Sequence, residues 1–287
     1  MKTMKIIVCC HKKDVMATQK PYMPIHVGKS TSSIILDIQA DNEGESISEK
    51  NSSYCELTGL YWAWKNLKNV DFIGLCHYRR YFDFHHQCDS VMPETPYPTE
   101  HFNKLDLSVP EFVINSIQNG VAYVSKPRFY RHSLYEDYCC SHLSDDIRTL
   151  EKYIMLTQSE SIKRAWFEYM HRNCQLRHYN MFIMTWHDFD AYCSWLFPLL
   201  QEMEKRINIS HYTSVQRRIF GYMAERLMNV WLLANRFKLY EQPIIWFCDY
   251  PGQASRNHLK YYRNLIRSKL ALAITRGKYN NFKQIWQ

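Results

Sequence analysis

The sequence predicts an α/β fold in which a mixed, mostly parallel central sheet is flanked by helices. Short apolar runs of strand length, such as Phe72–Cys76, alternate with segments whose apolar residues recur at helical spacing. A run that is apolar at every position is typical of a strand buried on both faces. Only 8 glycines in 287 residues argue against a turn-rich all-β protein. We expect a single domain over residues 1–250 and a basic helical tail over 251–287.

Composition narrows the class of protein further. With 46% apolar and 22% charged residues, the chain has an ordinary globular balance. No apolar run reaches the ~18 residues of a membrane-spanning helix, and the first residues lack the apolar core of a signal peptide. The ten cysteines include no C-x-x-C pair, so we expect a reduced, cytoplasmic protein. Neither G-x-G-x-x-G nor a Walker pattern is present.

The first part of the chain predicts a strand–helix–strand unit. Lys5–Cys9 is the first predicted strand, and Ile34–Ile38 is a second, shorter one. Ser53 and Glu56 have capping-box spacing for the helix that follows, which leads back to the strand at Phe72–Cys76. The elements predicted after residue 110 are helices over 111–118, 133–172, 189–200 and 214–235 and strands over 121–125, 179–184 and 244–247.

A polar cluster, His77-Tyr78-Arg79-Arg80, follows the predicted central strand directly. In open α/β sheets, ligands bind beyond the carboxyl ends of the strands. Arginine presents a planar fork of donors that suits phosphate, which points to an anionic, diphosphate-bearing ligand. The alternative is that Arg79 and Arg80 cap carbonyl groups or pair with surface acids. His11 ends the first strand in the same way, and a solvated loop is the alternative there.

Two further groups of residues suggest metal ligands. Asp188 and Asp190 have the D-x-D spelling that many glycosyltransferases use to hold a metal, but Asp188 also stands where a helix begins and suits an N-cap. His85, His86 and Cys88 lie close together in sequence, yet no second Cys/His pair stands at zinc-finger spacing. The sequence therefore predicts no metal site with assigned ligands.

The carboxyl-terminal tail holds the whole charge excess of the chain. The formal net charge is +8, and no acidic residue follows Asp249. A helix predicted at about 258–273 places apolar residues on one face and basic residues beside it, which is typical of membrane-surface binding. Packing on the domain with solvated lysines is the alternative. The apolar face is predicted to contain Leu259, Tyr262, Leu265, Ile266, Leu270 and Ala273.

Several signatures in one order resemble a family of bacterial glycosyltransferases from capsular and lipopolysaccharide gene clusters, long catalogued as a domain of unknown function. The most specific is Ile73–Phe82, which contains the His-Tyr-Arg-Arg cluster. The match fades over 83–110 and after 250. The other signatures are Lys5–Lys12, Asp41–Ser48, Asn51, Tyr54–Thr58, Tyr61–Asn66, Tyr179–Met184, Tyr192–Phe197, Gly221-Tyr222 and Glu225–Leu227. This chain has Glu45 and Ser46 where the family usually has Asp and Asn, so its sugar specificity can differ.

The resemblance implies a GT-A-like domain and a nucleotide-diphosphate-sugar donor. Some members of the family are galactofuranosyltransferases, which makes UDP-galactofuranose or UDP-galactose a candidate donor. The implied acceptor is a lipid-linked capsular or O-antigen glycan at the inner face of the plasma membrane. The basic residues of 255–287 would hold the enzyme peripherally on that anionic surface, and no nucleic-acid partner is expected.

Catalysis of glycosyl transfer requires stabilisation of the leaving diphosphate. A divalent cation, Mn²⁺ or Mg²⁺, can do this, but His77, Arg79 and Arg80 can supply fixed positive charge instead. An inverting reaction also needs a carboxylate base, for which Glu225 is our candidate. The alternative for Glu225 is a salt bridge with Arg226 or Arg218. His142 and Asp145 are weaker candidates for the base. The residues expected to bind the donor are Asp41, Asn42, Ser48, Lys65, Tyr78 and His11.

Two other classes of function are compatible with parts of the sequence. The basic tail, the many tyrosines and the arginine pair also suit a nucleic-acid-binding protein, although no recognised binding motif is present. In a non-catalytic scaffold of polysaccharide assembly, the His-Tyr-Arg-Arg cluster would have a structural role. Binding of a nucleotide distinguishes an enzyme from such a scaffold.

Overall fold

The computed structural model describes residues 2–89, 91–250 and 258–278. Within these residues the chain forms two compact units, which we describe separately. The first contains residues 2–126, 179–197 and 238–250, and the second contains residues 127–178, 198–237 and 258–278. The expected domain boundary at residue 250 adjoins a segment outside the described residues and stays a prediction.

Twelve strands and nine α-helices are formed by the described residues. The strands are β1 (Met4–Cys10), β2 (Tyr22–His26), β3 (Gln39–Ala40), β4 (Phe72–His77), β5 (Arg80–Phe82), β6 (Glu94–Pro98), β7 (Val121–Ser125), β8 (Arg128–Phe129), β9 (Gln175–Leu176), β10 (Phe182–Thr185), β11 (Lys238–Gln242) and β12 (Ile244–Cys248). The helices are α1 (Asn51–Tyr54), α2 (Leu57–Asn66), α3 (Glu111–Gln118), α4 (Leu134–Ser141), α5 (Ser144–Thr157), α6 (Glu160–Trp166), α7 (Trp186–Arg206), α8 (Ile219–Ala234) and α9 (His258–Lys278).

The sheet of the first unit has the strand order β11-β7-β10-β4-β1-β2-β3. The strands β4, β1, β2 and β3 are parallel to one another, β10 is antiparallel to both β4 and β7, and β11 is parallel to β7. A side branch places β12 between β5 and β6. The predicted mixed, mostly parallel sheet flanked by helices is thus confirmed.

The middle of the sheet is packed so closely that one position requires glycine. In β1 and β4, Ile6–Cys10 and Phe72–Cys76 are buried. Gly74 lies opposite Ile6 on one side and Ile183 on the other. A β-carbon at Gly74 would lie 2.8 Å from Ile183 Cγ1 and 2.9 Å from Phe182 O, which is closer than van der Waals contact. Neighbouring side chains fill the space that a side chain at Gly74 would need.

The prediction of a strand at Ile34–Ile38 is wrong. Ile34 and Ile35 are exposed, and the strand beside β1 is β2, which contains Pro24. The N–H of Ile6 donates to Pro21 O, and the N–H of Val27 donates to Cys10 O. The backbone N–H and C=O groups of the odd-numbered residues of β2 therefore point toward β1. The backbone nitrogen of Pro24 therefore points away from β1, toward β3, and pairing with β3 begins only at Ile25. Its missing N–H costs no hydrogen bond to β1, so proline is tolerated there.

The predicted capping box at Ser53 and Glu56 is also wrong. The hydroxyl of Ser53 donates to Lys50 O, and α1 ends before α2 begins. Cys55, at the break, has a φ of 53°. Glu56 precedes α2 without capping it, and its carboxylate instead accepts a hydrogen bond of 2.7 Å from Asn180 Nδ2. The carboxylate that the sequence assigned to a local cap thus makes a long-range contact.

The buried carboxylate of Asp41 organises the loops that follow β2 and β3. Asp41 is fully buried, and its Oδ2 accepts a hydrogen bond of 2.8 Å from the N–H of Gly28. Its Oδ1 accepts bonds from the N–H of Lys29, at 3.1 Å, and from the hydroxyl of Ser48. Gly28 has a φ of 71°, which favours glycine. Charge-assisted bonds to backbone N–H groups are strong, so Asp41 stabilises this turn.

The second unit is largely helical. The segment predicted to be helical over 133–172 forms α4, α5 and α6, and α6 packs against α8. Ser133 and Glu136 form a capping box at the start of α4. The buried side chains Leu150, Ile154 and Trp166 belong to the core of this unit. None of the helices in the described residues combines the length and the apolar character needed to cross a bilayer.

We expect Gly74→Val to lower the free energy of unfolding by about 1–3 kcal/mol, because its methyl groups would enter occupied space. The measurement is urea denaturation. Lys5→Val, at a half-exposed position of β1, introduces the same side chain outside the packed region and serves as the control. Equal stability of Gly74→Val and the wild type would contradict the packing described for β4.

We expect Asp41→Asn to lower the free energy of unfolding by about 1–3 kcal/mol, because one buried backbone N–H loses its acceptor. Asp37→Asn changes an exposed carboxylate four positions away and should stay within about 0.5 kcal/mol of the wild type. Thermal unfolding of both variants tests this. A stable Asp41→Asn protein would show that Asp41 does not organise the turn.

Candidate functional site

The carboxyl ends of β1 and β4 meet at one edge of the sheet because the two strands are parallel, with Cys9 opposite His77. His11 and Tyr78 follow these strand ends, and their rings contact edge to face with centroids 5.4 Å apart. Lys12 Nζ lies 5.8 Å from the centroid of the Tyr78 ring. The structure therefore brings together polar residues from two strand ends, as the sequence predicts.

Arg79, in the turn between β4 and β5, is neutralised by two carboxylates. Its Nη2 lies 2.9 Å from Asp14 Oδ2, and its two Nη atoms donate to the two carboxylate oxygens of Asp249, each at 3.1 Å. Thr99 Oγ1 donates to Asp249 as well. The hydrogen bonds from Arg79 and Thr99 hold the pKa of Asp249 below its usual range. For Arg79, the geometry favours the ion-pair interpretation.

Arg80 is held by aromatic rings instead of carboxylates. Its Cζ lies 4.4 Å from the ring centroid of Tyr179 and 5.7 Å from that of Trp246, the residue opposite it on β12. Its Nε is buried without a hydrogen-bond partner. Within residues 2–89, 91–250 and 258–278, no carboxylate forms an ion pair with Arg80. The guanidinium is fixed in place but its charge is not compensated by these residues.

The segment before β10 completes this edge of the sheet. A hydrogen bond of 2.8 Å joins His77 Nε2 and Tyr179 O, and the Tyr179 hydroxyl donates to Glu94 Oε2 at 2.6 Å. Tyr179 and Asn180 both have positive φ, of 75° and 51°. Residues other than glycine adopt this conformation uncommonly, although asparagine does so more readily than most, so the surrounding contacts hold the backbone in place here.

Sequence reasoning did not single out Tyr179, Trp246 or Glu94 as site residues. Tyr179 is the first residue of the strand predicted over 179–184, and the observed strand, β10, is antiparallel to β4 and starts at the edge where β4 ends. That register is the signal that places Tyr179 beside His77. Nothing local marks Trp246, because its position opposite Arg80 depends on the pairing of β12 with β5.

The residues expected to bind the donor occupy different environments. His11 and Tyr78 lie at the carboxyl ends of β1 and β4, with their rings in contact, and Asn42 is exposed. The carboxylate of Asp41 and the hydroxyl of Ser48 are buried and bonded to each other. Their contacts favour a structural role, and a role in donor binding stays a prediction.

Lys65 lies near the end of α2, the helix that leads to the amino end of β4. Its Nζ is 3.6 Å from Glu45 Oε1 and lies 3.8 Å from the centroid of the Trp64 ring. Its position in the last turn of α2 also suits stabilisation of the helix C-terminus by a cation, the alternative to phosphate binding. Its assignment to the donor stays a prediction.

Glu225 lies on α8 in the second unit, next to two basic side chains. Its Oε2 is 3.6 Å from His178 Nδ1 and 3.9 Å from Arg226 Nη1. A short hydrogen bond of 2.6 Å joins the Tyr130 hydroxyl to His178 Nε2. Arg226 is only 4% exposed, and it also lies 4.0 Å from Asp137 Oδ2, whose pKa is raised by burial. Both roles considered for Glu225, base and ion-pair partner, are compatible with this arrangement.

The weaker candidates for the base differ in their surroundings. Burial and the neighbouring Arg226 lower the pKa of His142, whose ring packs against that of Tyr222. The lowered pKa favours the neutral imidazole, which can accept a proton, but it also makes His142 a weaker base. Asp145 is exposed and pairs with Arg148 one turn along α5, as surface residues often do.

The sequence motifs that suggested metal ligands make protein contacts. Asp188 is the third residue of α7, and the hydroxyl of Thr185, just before the helix, accepts from its N–H and donates to its carboxylate. The cap is therefore Thr185, and the N-cap prediction for Asp188 is wrong. The carboxylate of Asp190 accepts from Trp64 Nε1. The described part of the chain contains no group of three or more His, Cys, Asp or Glu placed to hold a metal ion.

The fold is similar to that of a solved glycosyltransferase structure. The apo structure of the WbbM bifunctional glycosyltransferase matches with a TM-score of 0.75 and 24% sequence identity. The match covers 86% of this chain but 45% of that chain, so this sequence corresponds to less than half of WbbM. No curated protein matches the chain. The mixed sheet and this likeness together define a GT-A-like fold.

The model of one sequence family matches residues 5–236, which is most of the chain. This range includes β4, the His77–Arg80 cluster, Glu225 and all of β1 except its first residue. It ends before β11, so Trp246 and Asp249 lie outside the match. The chain therefore belongs to the family described as a domain of unknown function, DUF4422.

Proposed function

We propose that the protein is a glycosyltransferase that binds the diphosphate of a nucleotide-sugar donor at Arg80. The observation that carries this proposal is a guanidinium held by two aromatic rings that forms no ion pair with a carboxylate of the described residues. It lies beyond the end of β4, where ligands bind in α/β sheets. The GT-A-like fold and the WbbM likeness support the same class of reaction.

The chemistry of transfer explains why a fixed cation would be useful there. When the bond between the sugar and the diphosphate breaks, negative charge grows on the leaving oxygen. A hydrogen-bond donor of the protein that is already in place stabilises this negative charge without having to reorganise. Tyr179 and Trp246 hold Arg80 in place, and His77 is positioned by its bond to Tyr179 O. We assign Arg79 to holding the turn and Arg80 to the diphosphate.

The donor and the acceptor are proposed from the family resemblance. UDP-galactofuranose or UDP-galactose is the proposed donor, and a growing lipid-linked capsular or O-antigen glycan is the proposed acceptor. The reaction would then occur at the cytoplasmic face of the plasma membrane. Mn²⁺ or Mg²⁺ is not required by the proposal, because Arg80 provides positive charge for the diphosphate.

Glu225 remains the proposed base for an inverting transfer. A carboxylate can accept the proton of the acceptor hydroxyl as the new bond to the sugar forms. The side chain of Glu225 is 15% exposed, and His178 lies beside it, hydrogen-bonded in turn to Tyr130. A carboxylate oriented by a histidine in this way is suited to proton transfer, and its partial burial limits competition by water.

We expect UDP to stabilise the wild-type protein against thermal unfolding, and the stabilisation to persist in EDTA. Binding to the native state alone adds about 2.7 kcal/mol when the ligand concentration is 100 times Kd. In Arg80→Gln, the affinity for UDP should fall by roughly tenfold or more and kcat by roughly a hundredfold, while stability without UDP changes little. Other nucleoside diphosphates and their sugar conjugates, tested alongside, identify the nucleobase of the donor.

Arg206→Gln is the matched control for Arg80→Gln. Arg206 Cζ lies 5.1 Å from the Tyr153 ring centroid, so this substitution also removes an arginine stacked on tyrosine, in the second unit. It should leave the response to UDP unchanged. If no nucleotide stabilises the wild type, the scaffold interpretation replaces the enzyme. If stabilisation disappears in EDTA, a metal ion and not Arg80 carries the diphosphate.

Glu225→Gln should lower kcat by roughly a hundredfold or more and remove the decline of kcat at acidic pH, because an amide cannot accept a proton. The pH profile of kcat measures this, with thermal unfolding recorded in parallel. Glu168→Gln, at an exposed position in the same unit, is the control. Normal turnover with reduced stability would instead show that Glu225 serves as the ion-pair partner of Arg226 or His178.

A further inference from the structure

One face of α9 packs on the second unit. The ring of Tyr261 contacts that of Phe129 on β8, with centroids 5.4 Å apart. Ser268 is 1% exposed, and its hydroxyl donates to Tyr130 O. Tyr261 and Ser268 are seven residues apart, which is about two helical turns, so both lie on the same side of the helix.

The opposite face of α9 is apolar and exposed. Leu259 is 82% exposed, Ile266 58%, Leu270 60% and Tyr262 47%. With about 100° of rotation per residue, these four side chains lie between about 120° and 200° from Ser268 around the helix axis. The helix thus has one apolar side that is packed and another that is not.

Leu265, which the sequence pattern places on the same apolar face as these residues, does not belong to the exposed stripe. Leu265 is half-buried and lies about 60° from Ser268, toward the packed side. A continuous apolar pattern in the sequence therefore belongs to two surfaces in the structure.

Basic side chains border the exposed apolar face on both sides. Arg263, Arg267 and Lys260 are exposed along one border, and Lys269 is exposed along the other. The helix contains no acidic residue. Exposed apolar side chains between basic ones are typical of a helix that lies in the interface of an anionic bilayer.

We propose that α9 docks flat on an anionic lipid surface, with Leu259, Ile266 and Leu270 inserted among the acyl chains and the arginines and lysines at the headgroups. The charges favour lipid over the other occupants of such a face. A second copy of the helix would bring a second basic border against the first, and like charges repel. A nucleic acid would place phosphates against large aliphatic side chains. The proposal concerns α9 alone and holds whether or not the protein transfers a sugar.

Co-flotation of the full chain with vesicles tests the proposal. Vesicles of equal parts phosphatidylglycerol and phosphatidylethanolamine should carry the wild-type protein, and vesicles of phosphatidylcholine alone should not. The double variant Leu259→Glu with Ile266→Glu should lower the bound-to-free ratio by roughly tenfold or more, because each change replaces an inserted side chain by an anion. Leu156→Glu, at a leucine on α5 that is 73% exposed, should bind as the wild type does.

A second pair of variants separates the charges from the apolar face. Arg263→Gln with Arg267→Gln should weaken binding and make it less sensitive to salt, because fewer cations meet the anionic surface. Lys152→Gln with Lys238→Gln removes two exposed lysines elsewhere and should change neither property. Circular dichroism and thermal unfolding establish that each variant is folded.

Three results would overturn the proposal. One is wild-type binding of the Leu259→Glu, Ile266→Glu protein to the anionic vesicles. Another is the absence of vesicle binding by the wild type. The third is a wild-type dimer that these glutamates convert to a monomer without any binding to vesicles, which would assign the face to a second copy of the chain. The UDP experiments with Arg80→Gln and the vesicle experiments are independent of each other. A failure of the proposed function can therefore be distinguished from a failure of the proposal for α9.

Discussion

The ion pairs of Arg79 with Asp14 and Asp249 are the interaction on which the edge of the sheet depends. They join three segments that are distant in sequence: the residues after β1, the turn between β4 and β5, and the residue after β12. Asp14 is only 7% exposed, so its charge has left water and needs a partner. Because Arg79 satisfies both acids, the turn is fixed. The next residue begins β5, where pairing with β12 places Arg80 opposite Trp246.

The fixed turn places Arg80 against two aromatic rings. Stacking on Tyr179 and Trp246 stabilises the guanidinium and limits its rotation, but an aromatic ring does not neutralise the charge. A half-buried guanidinium whose charge no carboxylate of the described residues compensates is costly. A diphosphate provides both the acceptors and the compensating charge. Lysine in place of arginine could keep the charge, but it would lose the planar stacking and the forked donors.

The sequence predicted that polar residues meet at this edge of the sheet, but not that Arg79 pairs with two carboxylates while Arg80 stacks on two aromatic rings. An apolar run that stops at His77 is a local signal, and the parallel pairing of β1 and β4 follows from burial on both faces. Asp249 lies 170 residues from Arg79, and Trp246 reaches Arg80 only through β12. No local pattern distinguishes an arginine that will meet two acids from its neighbour that will meet two rings. The sequence did not predict β2 for the same reason, since the effect of Pro24 depends on a strand elsewhere in the chain. Proline is tolerated at this position because β3 is short and pairs with β2 only at Ile25 and His26.

Helical periodicity has a related limit, which α9 makes clear. A stripe of apolar residues indicates that a helix buries a face, but it does not say against what. In α9 the contacts of Tyr261 and Ser268 account for one face, and they leave Leu259, Ile266 and Leu270 mostly exposed. Leaving three large aliphatic side chains in water costs free energy that a soluble surface would avoid by using polar residues. We propose an anionic lipid surface as the partner of this face because it would cover the apolar side chains and also attract the basic residues beside them.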